Sequence, residues 1–185
     1  HGKLLKVVSD RNGYIQILSE KGLLRPRNGQ FLFPGTLVPD LQDKPLSEKM
    51  VADVTAYQNQ LVFLTSQAVL SNAWAGSLYI PHRMPDATLF AGGKGFTFLI
   101  SNGKKLQLLN DPKIRWEGDF PDPPVKDIQY EKAGNRFLIL GKSSVYAFQA
   151  DQKALSPVQK NNPFTCIGLT NNRLIAGTPD GYLEI

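Results

Sequence analysis

Five stretches of this chain repeat one design: GYIQILSEKGLL (13–24), NQLVFLTSQAVL (59–70), KGFTFLISNGKKLQL (94–108), NRFLILGKSSVYAF (135–148) and NRLIAGTPDGYLEI (172–185). Each opens on Asn, Gly or Lys, runs through apolar residues, breaks at a small polar turn and resumes in a second apolar run. That is the sequence form of a β-hairpin. The last two units align without a gap, setting Phe137 against Leu174, Leu138 against Ile175, Val145 against Tyr182 and Phe148 against Ile185. The 94–108 unit needs an inserted residue or two at its turn, which a surface turn absorbs.

A further apolar segment precedes each hairpin: LLKVVS (4–9), VADVTAY (51–57), ATLFA (87–91), VKDIQY (125–130) and FTCIGL (164–169). Three hairpins are followed by a segment fit for an outer strand: QFLFP (30–34), SLYIP (77–81) and IRWEGDF (114–120). The units start at 13, 59, 94, 135 and 172, within the period of roughly 35 to 50 residues that four-stranded propeller blades have. The expected fold is therefore all-β, a β-propeller of about four blades plus an incomplete fifth, with blades near 3–50, 51–85, 86–121, 125–163 and 164–185. Because the fifth unit stops inside its third strand, the chain reads as a piece of a larger propeller. Pro-rich connectors separate the blades at 34–49, 81–87, 121–127 and 149–163, and 46–52 (PLSEKMV) fits one helical turn.

Bulk composition narrows the function classes. With 185 residues and 42% hydrophobic content the chain has enough apolar material for a substantial core. The net charge is +5, yet Lys and Arg are scattered and never exceed the pair Lys104-Lys105, so no nucleic-acid stripe is visible. No apolar run approaches the roughly 20 residues that span a bilayer, so membrane association would come only through a segment outside this sequence. The single cysteine, Cys166, excludes an internal disulfide framework, and its apolar surroundings read as those of a buried, inert thiol.

DRNGYIQILSEKGLLR (10–25) and NNRLIAGTPDGYLEI (171–185) resemble the repeat of the two-component regulator propeller family. Asp10, Gly13, Gly22 and Leu23 match in the first copy, and Gly177, Thr178, Asp180, Gly181 and Leu183 in the last. The strand Trp usual in that family is absent, with Gln16, Val62, Thr97, Leu138 and Ile175 at or near its place. The resemblance implies a periplasmic sensor ectodomain of a bacterial hybrid two-component system that binds carbohydrate breakdown products and dimerises. A repeat of this kind says how the wheel is built and little about its ligand.

Chemistry-bearing residues are sparse. His82 stands alone in IPHRMP, with no second His or Cys at ligand spacing, and reads as a solvated loop histidine. Glu117, Asp119 and Asp122 form a local acidic cluster of the type glycoside hydrolysis needs, and in a Pro-rich stretch they read as a solvated turn. Asp40 and Asp43 lack the spacing of a calcium loop. Gly92-Gly93-Lys94-Gly95 lacks the Gly-Lys-Ser/Thr ending of a phosphate cradle and opens a hairpin instead. The aromatics offer more: Trp74 and Trp116 lie near turns, His82-Arg83 follows the first by one strand, and two of these on one loop face would make a binding patch, although each Trp individually reads as packing.

The sequence thus points to a non-enzymatic ligand-binding or sensing module without metal or cofactor. The candidate binding residues are Trp74, His82, Arg83 and Trp116. Its partners would be a carbohydrate or other small ligand and other domains of the same protein or a second subunit, in the periplasm or at the cell surface. The rival reading is a protein-interaction scaffold of the secretion-associated or WD type; an enzyme built on the 117–122 acids is a third.

Overall fold

The computed structural model describes residues 3–9, 13, 15–20, 22–27, 30–32, 51–58, 60–71, 78–110, 113–170 and 173–185. Among them every regular element is a strand. The first sheet holds β1 (Leu4–Ser9), β2 (Ile15–Ser19), β3 (Gly22–Arg27) and β4 (Gln30–Leu32); the second holds β5 (Val51–Tyr57), β6 (Gln60–Thr65), β7 (Ala68–Ser71) and β8 (Tyr79–Pro81). The third holds β9 (Leu89–Gly92), β10 (Thr97–Ser101), β11 (Lys105–Asn110) and β12 (Lys113–Asp119), and the fourth β13 (Asp127–Glu131), β14 (Arg136–Leu140), β15 (Val145–Gln149) and β16 (Ala154–Gln159). The fifth consists of β17 (Cys166–Thr170), β18 (Arg173–Thr178) and β19 (Gly181–Glu184). Each is an antiparallel meander in chain order, the construction of a propeller blade. All five hairpins expected from the sequence form, as the central pairs β2–β3, β6–β7, β10–β11, β14–β15 and β18–β19.

Local chemistry fixes the hairpin turns. The Thr65 hydroxyl donates to the Ala68 carbonyl (3.0 Å) and accepts from the Ala68 amide (3.1 Å). At the corresponding place the Ser101 hydroxyl donates to the Lys105 carbonyl (2.9 Å) and accepts from the Gly103 amide (2.9 Å). The hydroxyl thus spans three residues in one turn and four in the other. This is how the third unit absorbs its insertion without disturbing the register of β10 with β11.

The chain forms two compact units, His1–Ala87 and Thr88–Ile185. In the first, β1 lies against β5, and Leu18, Val51, Val54, Leu61, Phe63 and Leu70 form the core with Val8 and Tyr79 on its margin. In the second, β13 lies between β9 and β17, and β14 of the fourth sheet is buried on both faces. Alternate side chains of β14 divide between the two sides: Phe137 and Ile139 join the cluster shared with Leu99, Leu108 and Phe120, while Leu138 and Leu140 join Ile167, Leu174 and Ala176. Two-sided burial explains why RFLIL is a continuous apolar run instead of an alternating strand.

One sequence expectation is corrected, and a second falls mostly outside the described residues. The stretch 149–163, read as a connector because of Pro157 and its charges, contains β16. Pro157 is tolerated because β16 is the outermost strand of its sheet, so no further neighbour needs the missing N–H, and the pairing shifts register between Val145 and Tyr146. The helical turn expected at 46–52 has its first five residues outside the described ones, and its last two, Val51 and Ala52, begin β5.

Candidate functional site

His82 is a buried residue at 9% exposure, not the solvated loop histidine its isolation in the sequence implied. The turn after β8 folds back on the β6–β7 hairpin, so Nδ1 accepts from the Met84 amide (3.2 Å) and Nε2–H donates to the Thr65 carbonyl (2.8 Å). This assigns the neutral Nε2–H tautomer. Burial pushes the imidazole below its ordinary value of 6.5, opposed in part by the bond to Thr65. Both ring nitrogens are committed to backbone, which leaves none for a ligand. Arg83, next to it, is exposed. Trp74 lies outside the described residues.

Trp116 belongs to the second unit and sits in the middle of β12, half-buried against Phe148 of β15 with ring centroids 4.8 Å apart. Its position is that of a packing residue between two sheets. Of the acids near it, Glu117 and Asp119 lie on the exposed face of β12, not in a turn. Glu117 accepts from Gln107 Nε2 (2.9 Å), while Asp122 caps the β14–β15 turn, accepting from the Ser143 amide (2.9 Å). Among the described residues no group of three or more His, Cys, Asp or Glu is arranged to hold a metal ion.

The feature with the geometry of a recognition site is one that sequence reasoning missed, the outward face of β17–β19. The pairing Cys166↔Gly177, Gly168↔Ile175 and Thr170↔Arg173, continued by Ile175↔Glu184 and Gly177↔Tyr182, places these eight residues on one face. Ile167, Leu174 and Ala176 occupy the other and pack on the fourth sheet. The outward face lines an open concavity of about 870 Å³. Tyr182 stands 77% exposed at its side, and Arg173 Nη1 pairs with Glu184 Oε1 at 3.0 Å. The floor is low because two of its positions are glycine. Gly168 has open space above it, and a Cβ on Gly177 would fall 2.6 Å from Cys166 Sγ.

Cys166 is accordingly exposed, contrary to the buried thiol its apolar neighbours implied. It begins β17 on the outward face, so alternation sends Ile167 inward and Cys166 outward. The gapless alignment of the last two repeats carried the missing signal. Where the fourth sheet places Leu138, Leu140, Val145 and Ala147 against its neighbour, the fifth has Ile175, Gly177, Tyr182 and Glu184. A dry packing face has become a mixed one.

No family model matches the sequence, and no curated protein does. Solved structures do match in fold. An extracellular domain described as that of a one-component system from B. thetaiotaomicron superposes with a TM-score of 0.73 at 10% identity, over 100% of this chain and 30% of that one. Virginiamycin B lyase from Staphylococcus aureus gives 0.63 at 13% identity, over 99% of this chain and 69% of the lyase. The Pan2 WD40 domain of Neurospora crassa gives 0.65 at 13% identity, over 96% and 56%. The chain thus spans about a third of the first and just over half of the last. At such identities the likeness establishes the β-propeller fold, and a fold shared by an extracellular domain, a lyase and a WD40 domain does not by itself assign a function.

Proposed function

We propose that the chain is a non-catalytic recognition module, and that its ligand, a carbohydrate or another small polyhydroxylated molecule, lies on the outward face of β17–β19. The observation that carries this reading is the composition of that face. A ring with its π-face free, a guanidinium and carboxylate side by side, and a glycine floor suit a ligand with apolar C–H faces and hydroxyl edges. Extracellular domains of one- and two-component systems are among the structures of similar fold, which supports a location outside the cytoplasm. Glu117 and Asp122 are tied into sheet and turn contacts, and this favours binding over hydrolysis.

Calorimetric titration of the whole chain with a panel of neutral oligosaccharides tests the reading. Saturable binding by one or more members, lost in Tyr182→Ala and Arg173→Ala, is the expected result. Heat that is indistinguishable from dilution across the panel would overturn it.

A second reading has its own observation: the face of the fourth sheet that corresponds to this one packs a sheet, with Leu138, Leu140, Val145 and Ala147 buried there. On that reading the face docks protein, as in a scaffold. Replacement of buried aliphatic positions by Gly177, Tyr182 and Glu184 favours the small-ligand reading, because a paired charge loses its solvent when a sheet covers it.

A further inference from the structure

One place in the repeat is filled by three different residues. The amide of His82 donates to the Gln67 carbonyl (3.0 Å), that of Phe120 to Lys104 (2.8 Å) and that of Asn162 to Ser143 (3.0 Å). In each of three sheets a residue beyond the outermost strand thereby ties back to the turn between the second and third strands. Phe120 is 3% exposed and His82 9%, so both act as ring-shaped plugs, and an apolar ring suffices for filling. What the imidazole adds is a pair of directional bonds, from Nε2 to Thr65 and to Nδ1 from Met84.

We infer that His82 is a pH-sensitive latch that, when neutral, locks the β6–β7 turn to the segment 82–87 and, when protonated, releases it. Nδ1 is an acceptor only in the neutral ring. A proton there sets N–H against the Met84 N–H, removes that amide's partner and places a charge in a site 9% exposed. Burial therefore keeps the ring neutral and the latch closed at neutral pH. The titratable groups on the elements joined by the ring, β6, β7, β8 and 82–87, are Tyr79, Arg83 and Asp86. Arg83 and Asp86 are exposed and of opposite sign. The paired strand β5 adds Tyr57 and Asp53, the latter neutralised by Lys6 Nζ at 2.9 Å. What the latch holds is weak on its own: β8 has three residues and lies at the edge of its sheet.

A histidine whose folded pKa is lowered binds fewer protons folded than released, so its contribution is complete above the released value of 6.5 and is lost as pH falls below it. Amide hydrogen exchange on the intact chain between pH 7.5 and 5 reads the opening directly, as protection factors. Protection at His82 and Met84 is expected to fall about tenfold per pH unit between 6.5 and the closed-state pKa, while Leu138 in β14 stays constant. In His82→Phe, which copies Phe120, the fall at the residue-82 amide is expected to vanish. A flat profile in the wild type, or an unchanged fall in His82→Phe, would overturn the latch. The NMR titration of the His82 ring needs no variant: a midpoint below 6.5 supports the latch, and one at or above 6.5 overturns it.

Discussion

Trp116 on the outermost strand of the third sheet lies against Phe148 on the third strand of the fourth, ring centroids 4.8 Å apart and planes inclined by 38°. This contact joins two sheets that share no strand hydrogen bonds. The same indole also lies over Gly118, where an added Cβ would fall 2.5 Å from Cζ2. Trp116→Ala is expected to cost about 2–4 kcal/mol, less than a fully buried Trp because the residue is only half-buried, and Trp116→Phe distinctly less. Gly118→Ala is expected to destabilise by displacing the indole from Phe148. Urea unfolding followed by far-UV circular dichroism checks both.

Asp122 reaches from the loop after the third sheet to the β14–β15 turn, where the Ser143 amide donates to Oδ2 at 2.9 Å and the Lys142 amide to its main-chain oxygen at 2.9 Å. Asp122→Ala leaves the Ser143 amide without its acceptor and is expected to cost about 1.5–3 kcal/mol, with Asp122→Asn recovering part of it. Ligand binding should be unaffected in both. Loss of binding at full stability would restore the acidic stretch as a functional site.

Asp53 is 4% exposed at its side chain and is held by Lys6 Nζ (2.9 Å) and the Val54 amide (2.8 Å). Deleting either partner is unequal. Asp53→Ala orphans a buried amide and frees a lysine that is 40% exposed and can turn to water, for an expected cost of about 2–3 kcal/mol. Lys6→Ala leaves the carboxylate buried, so it should cost at least as much. A smaller loss in Lys6→Ala, read by chemical denaturation at pH 7, would argue that solvent reaches Asp53.

Tyr182 makes the opposite case. With 77% of its surface exposed it contributes little packing, and Tyr182→Ala is expected to change stability by less than about 0.5 kcal/mol while abolishing ligand binding. Thermal unfolding beside titration separates the two effects.

Strands were legible in the sequence because hairpins announce themselves twice, by apolar runs and by polar turns between them. LLKVVS and VADVTAY form β1 and β5 over the full spans expected. β16 was hidden because an outermost strand needs little apolar patterning and tolerates Pro157. The candidate site was far less legible. His82 looks solvated by its neighbours, Pro81 and Arg83, and becomes buried only because the β6–β7 turn closes over it from 17 residues away. Cys166 and Tyr182 needed the strand register to be assigned to one face, which apolar content alone cannot supply.

Backbone amide shift mapping of the intact chain, during titration with whichever oligosaccharide binds, tests recognition at the outward face most directly. Perturbations clustered on Cys166–Thr170, Arg173–Thr178 and Gly181–Glu184 are the expected result. Perturbations centred instead on Arg83 or on Trp116, with β17–β19 silent, would contradict it.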